Sequence, residues 1–140
     1  MNHEMLKGLL LIGGLLAFGD PLAGQTSPSP PMVLEVGADG VQHGAVAADS
    51  YEFIPNHLVV QAGIPVELTL HSLTMLTPHN FVIKAPEAEV EISQDVGAGK
   101  TVTVHFKPMR PGTYPFYCDR KLLFFANHRE KGMEGKLEVR

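Results

Sequence analysis

Residues 111–139 read PGTYPFYCDRKLLFFANHREKGMEGKLEV, and this stretch contains the residues that decide the fold and the chemistry. It holds Cys118, the only cysteine of the chain, at the end of a strand-like run. His128 follows after nine intervening residues, and Met133 follows after four more. A single cysteine cannot form a disulfide within the chain, so metal binding and simple packing are its two alternative roles.

Together with an upstream histidine, these residues form a donor set typical of copper. His79 opens another strand-like run in the segment Pro78–Phe81. One thiolate, two imidazoles and one thioether are the ligands of a trigonal His₂Cys copper site with a weak axial Met. Zinc fits less well, because structural zinc sites are built from Cys and His and seldom use Met. The set therefore favours copper.

Alternating apolar and polar residues on both sides of this stretch predict short strands. The clearest alternation lies at residues 65–70 (PVELTL) and at residues 100–107 (KTVTVHFK). A period of two residues indicates half-buried antiparallel strands. Six to eight such strands at this spacing predict an all-β sandwich. Only residues 120–128 lack strand signals, and there we expect a short helix between Cys118 and His128.

The remaining composition limits the class of protein. A chain of 140 residues has room for one compact domain, which we place at residues 32–140. It contains 11 basic and 15 acidic residues and has a formal net charge of −4, which argues against nucleic acid as a partner.

The first 31 residues are expected to lie outside this domain. The apolar run at residues 9–18 (LLLIGGLLAF), followed by Ala23 and Gly24, predicts a secretory signal peptide over residues 1–24. A membrane anchor is the alternative, but ten apolar residues fall short of the ~20 that a spanning helix needs. No stable membrane insertion is therefore expected after cleavage, and residues 25–31 (QTSPSPP) are expected to form an extended linker.

From Tyr51 to Arg140 the sequence resembles the cupredoxin family, the small blue copper proteins. The matching motifs are FIPN at residues 53–56 with Val59, Gly63 and Val66, then PGTYPFYC at residues 111–118, then His128, Met133, Gly135, Leu137 and Val139. The resemblance implies a Greek-key β-sandwich with one copper ion on His79, Cys118, His128 and Met133. It also implies that Asn80 ties the two ligand loops together, as residues that orient metal ligands do.

Two features depart from the family pattern. Family members usually place only a few residues between the cysteine and the second histidine, whereas nine stand between Cys118 and His128. A longer loop is expected to move His128, to shift the site from blue toward green or red, or to leave an open coordination position. Asp119 replaces the Ser or Thr of many members; we expect it to accept a hydrogen bond from Asn80 and to favour Cu(II).

The long loop contains four apolar residues, at positions 122–125 (LLFF). We expect them to shield the metal as part of the core; the alternative is an exposed docking patch. Basic residues beside them would steer an acidic redox partner; they are Arg120, Lys121, Arg129 and Lys131. The other histidines of the strands and loops are expected at the surface, namely His43, His57, His71 and His105.

These observations favour an exported protein, periplasmic or extracytoplasmic, that carries single electrons by cycling one copper ion between Cu(I) and Cu(II). It would exchange electrons with a redox partner protein. The first alternative is a copper-tolerance protein that sequesters or oxidises Cu(I), with His43, His57, Met75 and Met109 as accessory binding points. The second is a small enzyme with an open copper position. We assign no catalytic residue.

Overall fold

A computed structural model describes residues 29–140, so the expected signal peptide and residues 25–28 of the linker lie outside the described residues. Residues 29–31 precede the first strand and are exposed. The described residues form ten strands and one 3₁₀ turn at Pro86–Ala88. The strands are β1 Met32–Val33, β2 Gln42–Asp49, β3 Glu52–Ile54, β4 His57–Val60, β5 Val66–Ser72, β6 His79–Ala85, β7 Val90–Val96, β8 Thr101–Phe106, β9 Gly112–Tyr117 and β10 Glu134–Val139.

These strands form two sheets, which confirms the predicted β-sandwich. The larger sheet has the order β1-β4-β10-β9-β6-β7, and the smaller sheet has the order β3-β2-β5-β8. Most neighbours are antiparallel, as expected, but three pairs are parallel: β1 with β4, β4 with β10, and β2 with β5. Neighbours in a parallel pair cannot be joined by a tight hairpin, so the chain crosses between the sheets before it returns.

Three phenylalanines form the centre of the core between the sheets. Phe81 stacks on Phe116 with ring centroids 5.1 Å apart, and Phe53 meets both rings edge-on at 5.7 and 5.4 Å. Phe81 and Phe116 are fully buried. Burying a side chain of this size stabilises the fold by roughly 1.5–3 kcal/mol. This core holds β6 and β9 side by side, and these are the two strands that lead to His79 and Cys118.

The sequence pattern missed strand β2, whose Gly- and Ala-rich segment lacks large apolar residues. The strand is held instead by a buried amide. The side-chain nitrogen of Gln42 donates to the carbonyls of Gln61 and Ile64 at 3.2 Å each, and the backbone N–H of Gln61 donates to Gln42 Oε1 at 2.7 Å. Because its polar atoms have partners, Gln42 is buried at low cost.

The expected helix between Cys118 and His128 is wrong. The segment is a loop with a turn at residues 123–125, in which Leu123 has a positive φ of 50°. The N–H of His128 donates to the carbonyl of Arg120 at 2.9 Å, so the loop closes on itself. A helix over residues 120–128 would hold these ends roughly 12 Å apart, which is incompatible with that bond. Across residues 29–140, no helix has the length and hydropathy of a membrane span.

Candidate metal centre

Three of the four predicted ligand residues meet at one end of the larger sheet. His79 is the first residue of β6, and Cys118 directly follows β9. The two strands pair antiparallel, so the beginning of β6 lies beside the end of β9. His128 lies in the turn that leads to β10, the other neighbour of β9. His79 and His128 lie 39 positions before and 10 positions after Cys118 in the sequence. The pairing of the strands brings all three into one cluster.

The cluster has the geometry of a small metal site. Cys118 Sγ lies 3.4 Å from His128 Nδ1 and 4.0 Å from His79 Nδ1. One ligand atom from each residue lies within 4.8 Å of the other two, and all three residues are buried. Metal–sulfur and metal–nitrogen bonds of about 2.3 and 2.0 Å fit atoms at these separations. His79, Cys118 and His128 can therefore surround a single ion.

A hydrogen bond fixes which nitrogen of His79 faces the cluster. Thr74 Oγ1 donates to the carbonyl of Thr77 at 2.6 Å and lies 3.1 Å from His79 Nε2. Because the hydroxyl proton is already used, its oxygen accepts from Nε2–H. The lone pair of the neutral imidazole then lies on Nδ1, which faces Cys118. Nothing in the sequence around Thr74 marks it for this orienting role, and sequence reasoning missed it.

Asn80 joins the two strands beneath the ligands, as the sequence predicted. Its side-chain nitrogen donates to Asp119 Oδ1 at 2.7 Å, and the N–H of Asp119 donates to Asn80 Oδ1 at 3.0 Å. The backbone N–H of Asn80 also donates to Cys118 Sγ at 3.4 Å. The expected acceptor role of Asp119 is confirmed. Asn80 therefore holds Cys118 in two ways, by a direct bond to its sulfur and by two bonds to Asp119, the residue that follows it.

Met133 is fully buried and is tied by its backbone to two of the clustered residues. The N–H of Cys118 donates to the carbonyl of Met133 at 3.1 Å, and the N–H of Met133 donates to the carbonyl of His128 at 2.9 Å. These bonds hold the chain around Cys118, His128 and Met133 in one compact arrangement. The axial role of the Met133 thioether stays a prediction.

Burial decides the protonation of the cluster. Loss of solvent lowers the pKa of His79 and of His128, with a smaller contribution from nearby positive charge. The same burial raises the pKa of the Cys118 thiol. Both imidazoles are thus held neutral with free lone pairs, while the thiol keeps its proton until a cation displaces it. This combination suits a metal ion and disfavours charged side chains in its absence.

The long loop does not displace His128 from the cluster. The bond between His128 and Arg120 closes the loop at its base, so residues 121–126 project outward and are exposed. The expected shielding role of residues 122–125 is wrong: Leu122, Leu123, Phe124 and Phe125 are 65, 74, 99 and 60% exposed. These four residues form the exposed apolar patch that the sequence offered as the alternative.

Tyr51 covers His128 instead. Its ring meets the imidazole edge-on with centroids 5.2 Å apart. Lys131 Nζ lies 4.3 Å from the Tyr51 ring centroid and 3.1 Å from its hydroxyl oxygen. Beside these residues a cavity of about 340 Å³ opens between the loop and residues 76–78, and His128 forms part of its wall. Sequence reasoning missed Tyr51, because its contact with His128 joins positions 77 apart.

The other histidines of residues 29–140 lie away from the cluster. His43, His71 and His105 are exposed, as predicted. His57 is half-buried rather than at the surface, because its ring lies 2.9 Å from Glu138 Oε2.

The chain belongs to the cupredoxin family: the family model described as a Cupredoxin-like domain matches residues 21–137. Among curated protein sequences, none matches this chain.

Solved structures show the same fold. The copper-exporting P-type ATPase of Streptococcus pneumoniae D39 has a metal-binding domain, solved with Cu(I), that is 20% identical with a TM-score of 0.58, over 79% of this chain and 96% of that one. Reduced auracyanin from Roseiflexus castenholzii is also 20% identical with a TM-score of 0.58, over 74% and 99%. Rusticyanin from Thiobacillus ferrooxidans is 20% identical with a TM-score of 0.54, over 76% and 86%. The family and the buried His-Cys-His cluster together support copper binding.

Proposed function

We propose that this chain is an exported mononuclear copper protein that carries single electrons, with the ion held by His79, Cys118, His128 and Met133. The observation that carries the proposal is the buried thiol with two imidazole nitrogens at 3.4 and 4.0 Å. Thiolate and thioether suit Cu(I), and imidazole suits either oxidation state. Copper in this donor set supplies a one-electron couple.

The protein contributes a rigid and dry frame for that couple. His79 is oriented by Thr74, and Cys118 is held by the bonds of Asn80. Both ligands lie at the ends of paired strands. A change in the oxidation state of the copper ion would therefore require little movement of the protein. Burial excludes water and oxidants from the sulfur. The sulfur is thereby protected from oxidation, and its bond to the metal is protected from displacement by water.

Electrons would leave and enter through His128, which lies nearest the surface of the three clustered residues. We call the exposed residues Leu122, Leu123, Phe124 and Phe125 the loop patch. It stands next to the cavity beside His128, which Lys121 and Lys131 also line. A contiguous apolar patch with a basic border favours docking to a partner with an apolar surface and an acidic rim.

A redox titration of the copper-loaded protein tests the proposal. We expect one reversible electron per chain, from a single copper ion in the buried centre, and no change in the thiolate band of that centre on adding azide. An azide-dependent spectrum would indicate an open coordination position and would favour an enzyme. Irreversible reduction or release of copper on reduction would contradict the carrier.

Electron self-exchange tests the loop patch without knowledge of the partner. We expect Phe124→Lys to slow self-exchange between oxidised and reduced protein by roughly tenfold, because it brings like charges together in the encounter. Met109→Lys is the matched control, since Met109 is also exposed but precedes β9, whose far end leads to the metal centre. Equal rates in both variants would contradict docking through the patch.

Export is the further part of the proposal, and it rests on the apolar run at residues 9–18 and the small residues that follow it. N-terminal sequencing of protein recovered from outside the cytoplasm is expected to begin at Gln25. Recovery of the intact chain from the cytoplasm alone would contradict it.

A copper-handling role is the second candidate function. It is supported by the fold shared with the metal-binding domain of a Cu(I)-exporting ATPase and by two exposed thioethers, since Met75 and Met109 are 78 and 46% exposed. Binding of additional Cu(I), lost in Met75→Leu or Met109→Leu, would favour this role. A single Cu(I) per chain would favour the carrier.

A further inference from the structure

The outer face of the smaller sheet carries a row of three side chains that the copper centre does not use. His43 on β2 is the register partner of Glu67 on β5, and Glu67 is the register partner of His105 on β8. Residues at matched positions of neighbouring strands project from the same face of a sheet. Two histidines therefore flank one carboxylate across three adjacent strands.

The separations of these side chains suit metal coordination. His43 Nδ1 lies 3.3 Å from Glu67 Oε1, and His105 Nδ1 lies 3.7 Å from Glu67 Oε2. An ion with bonds of about 2.0–2.2 Å to a nitrogen and an oxygen places those two atoms about 3–3.5 Å apart. The first pair lies within this range, and the second reaches it by a small rotation of the exposed His105 ring. The two histidines lie on opposite oxygens of Glu67. Within residues 29–140 only the buried cluster has its three ligand atoms within 4.8 Å of one another, so His43 and His105 must turn toward each other to share an ion.

Asp39 supplies a second observation. Its Oδ2 lies 2.8 Å from His43 Nε2, on the side of the ring opposite Glu67. A carboxylate at this position accepts from Nε2–H, which leaves Nδ1 to the metal. Asp39, and to a smaller extent Glu67, raise the pKa of His43, so an ion bound at Nδ1 must displace a proton. Metal-binding histidines are commonly oriented by such a carboxylate behind the ring. Asp39 is itself positioned by the N–H of Val41, which donates to its Oδ1 at 3.1 Å.

We propose that His43, Glu67 and His105 form a second, surface metal site for a divalent transition ion, oriented by Asp39. Two imidazoles and a carboxylate suit Cu(II) and Zn(II), and Cu(II) binds more tightly to a given set of such donors. The site contains no sulfur, so it has no preference for Cu(I). It lies on the other sheet from the His79–Cys118 pair and shares no residue with the copper centre.

The same sheet face offers a matched control. His71 on β5 is also exposed and lies four positions after Glu67, but its Nδ1 is 2.6 Å from the hydroxyl of Thr101 and not from a carboxylate. Its register partners are Ala47 and Thr101. A general affinity of exposed histidines for copper would therefore involve His71 as much as His43 and His105.

The experiment adds Cu(II) to oxidised protein whose buried centre is already loaded with copper, and follows paramagnetic resonance and visible absorption. We expect a second Cu(II) signal with nitrogen and oxygen ligands, and no change in the visible thiolate band of the buried centre. Zn(II) in large excess should displace the second signal and leave that band intact. The band reports on the buried centre and the second signal reports on the surface site. Either assignment can therefore be contradicted without affecting the other.

Variants then assign the ligands. We expect His43→Ala, His105→Ala and Glu67→Gln each to weaken the second Cu(II) by about tenfold or more, and His43→Ala with His105→Ala to abolish it. His71→Ala should leave it within about twofold. The proposal is overturned if no second ion binds, if the double variant keeps the signal, or if His71→Ala weakens it as strongly as His43→Ala does. Thermal unfolding verifies that each variant folds.

Discussion

The two sides of the metal centre are built in opposite ways. His79 and Cys118 belong to paired strands, are fully buried and are held by Thr74 and Asn80. His128 is returned to the same place by a loop whose apolar side chains are exposed. One backbone hydrogen bond, between His128 and Arg120, closes the base of the loop beside the cluster. The sheet thus fixes the metal centre, and the residues between the ligands remain available for contact with other molecules.

The largest difference between the two sides is expected in stability. Phe81→Ala removes a fully buried ring next to Phe116 and should lower the free energy of unfolding by about 3–5 kcal/mol. Phe124→Ala removes an exposed ring and should change it by no more than about 0.5 kcal/mol. Denaturant unfolding of both variants measures the comparison. Similar losses in the two variants would show that the loop is part of the core.

The next effect concerns the link beneath the ligands. Asn80→Ala removes both side-chain bonds to Asp119 but keeps the backbone N–H that donates to Cys118 Sγ. We expect copper affinity to fall by about 10–100-fold while the protein stays folded, because the ligand strands lose their cross-connection. Competition with a copper chelator measures the affinity. Asn56→Ala, at an exposed asparagine, is the control, and an equal loss there would contradict the special role of Asn80.

A smaller effect separates charge from hydrogen bonding at Asp119. Asp119→Asn keeps an oxygen that accepts from Asn80 and removes the negative charge next to Cys118. Because the charge favours Cu(II), we expect the reduction potential to rise by roughly tens of millivolts, limited by solvent screening. Copper affinity should change less than in Asn80→Ala. A lower potential, measured by redox titration, would contradict this account.

The smallest effect lies in the larger sheet at the end opposite the metal centre, where Glu138 on β10 pairs with Thr113 near the start of β9. The Arg140 guanidinium, and then His57, hold the pKa of Glu138 below its ordinary value of 4.5. A lowered pKa means that the carboxylate stabilises the fold above pH 4.5, and that this contribution is lost as the pH falls through the folded-state pKa. We expect wild-type protein to unfold at a higher temperature than Glu138→Gln at pH 7, with the difference disappearing at low pH. A difference that grows on acidification would contradict the assignment.

The sequence allowed the strand-borne half of the centre to be predicted almost completely. Alternation located β5 and β8, the fold class followed from strand spacing, and the pairing of Asn80 with Asp119 was anticipated. The strands and the fold class depend on residues whose polarity repeats with the strand period, whereas the pairing of Asn80 with Asp119 came from the resemblance to the cupredoxin family. The prediction failed for β2, which is held by the buried amide of Gln42 rather than by large apolar side chains.

The loop-borne half was predicted less well, and for a physical reason. Four consecutive apolar residues at positions 122–125 indicate burial in most proteins, and here they are exposed. The loop that carries them is closed at its base by the bond between His128 and Arg120, and no local sequence pattern predicts that bond. Tyr51 and Thr74 were missed in the same way, since each acts on a histidine only after the sandwich has formed.

The visible absorption spectrum of the copper-loaded protein, compared with that of Cys118→Ser, tests the central claim most directly. Direct bonding of copper to the buried sulfur predicts an intense thiolate-to-copper charge-transfer band in the wild type. The band should be absent in Cys118→Ser and unchanged in His105→Ala. A folded, copper-loaded wild type without such a band, or a band that survives in Cys118→Ser, would contradict the assignment of this cluster as a copper centre.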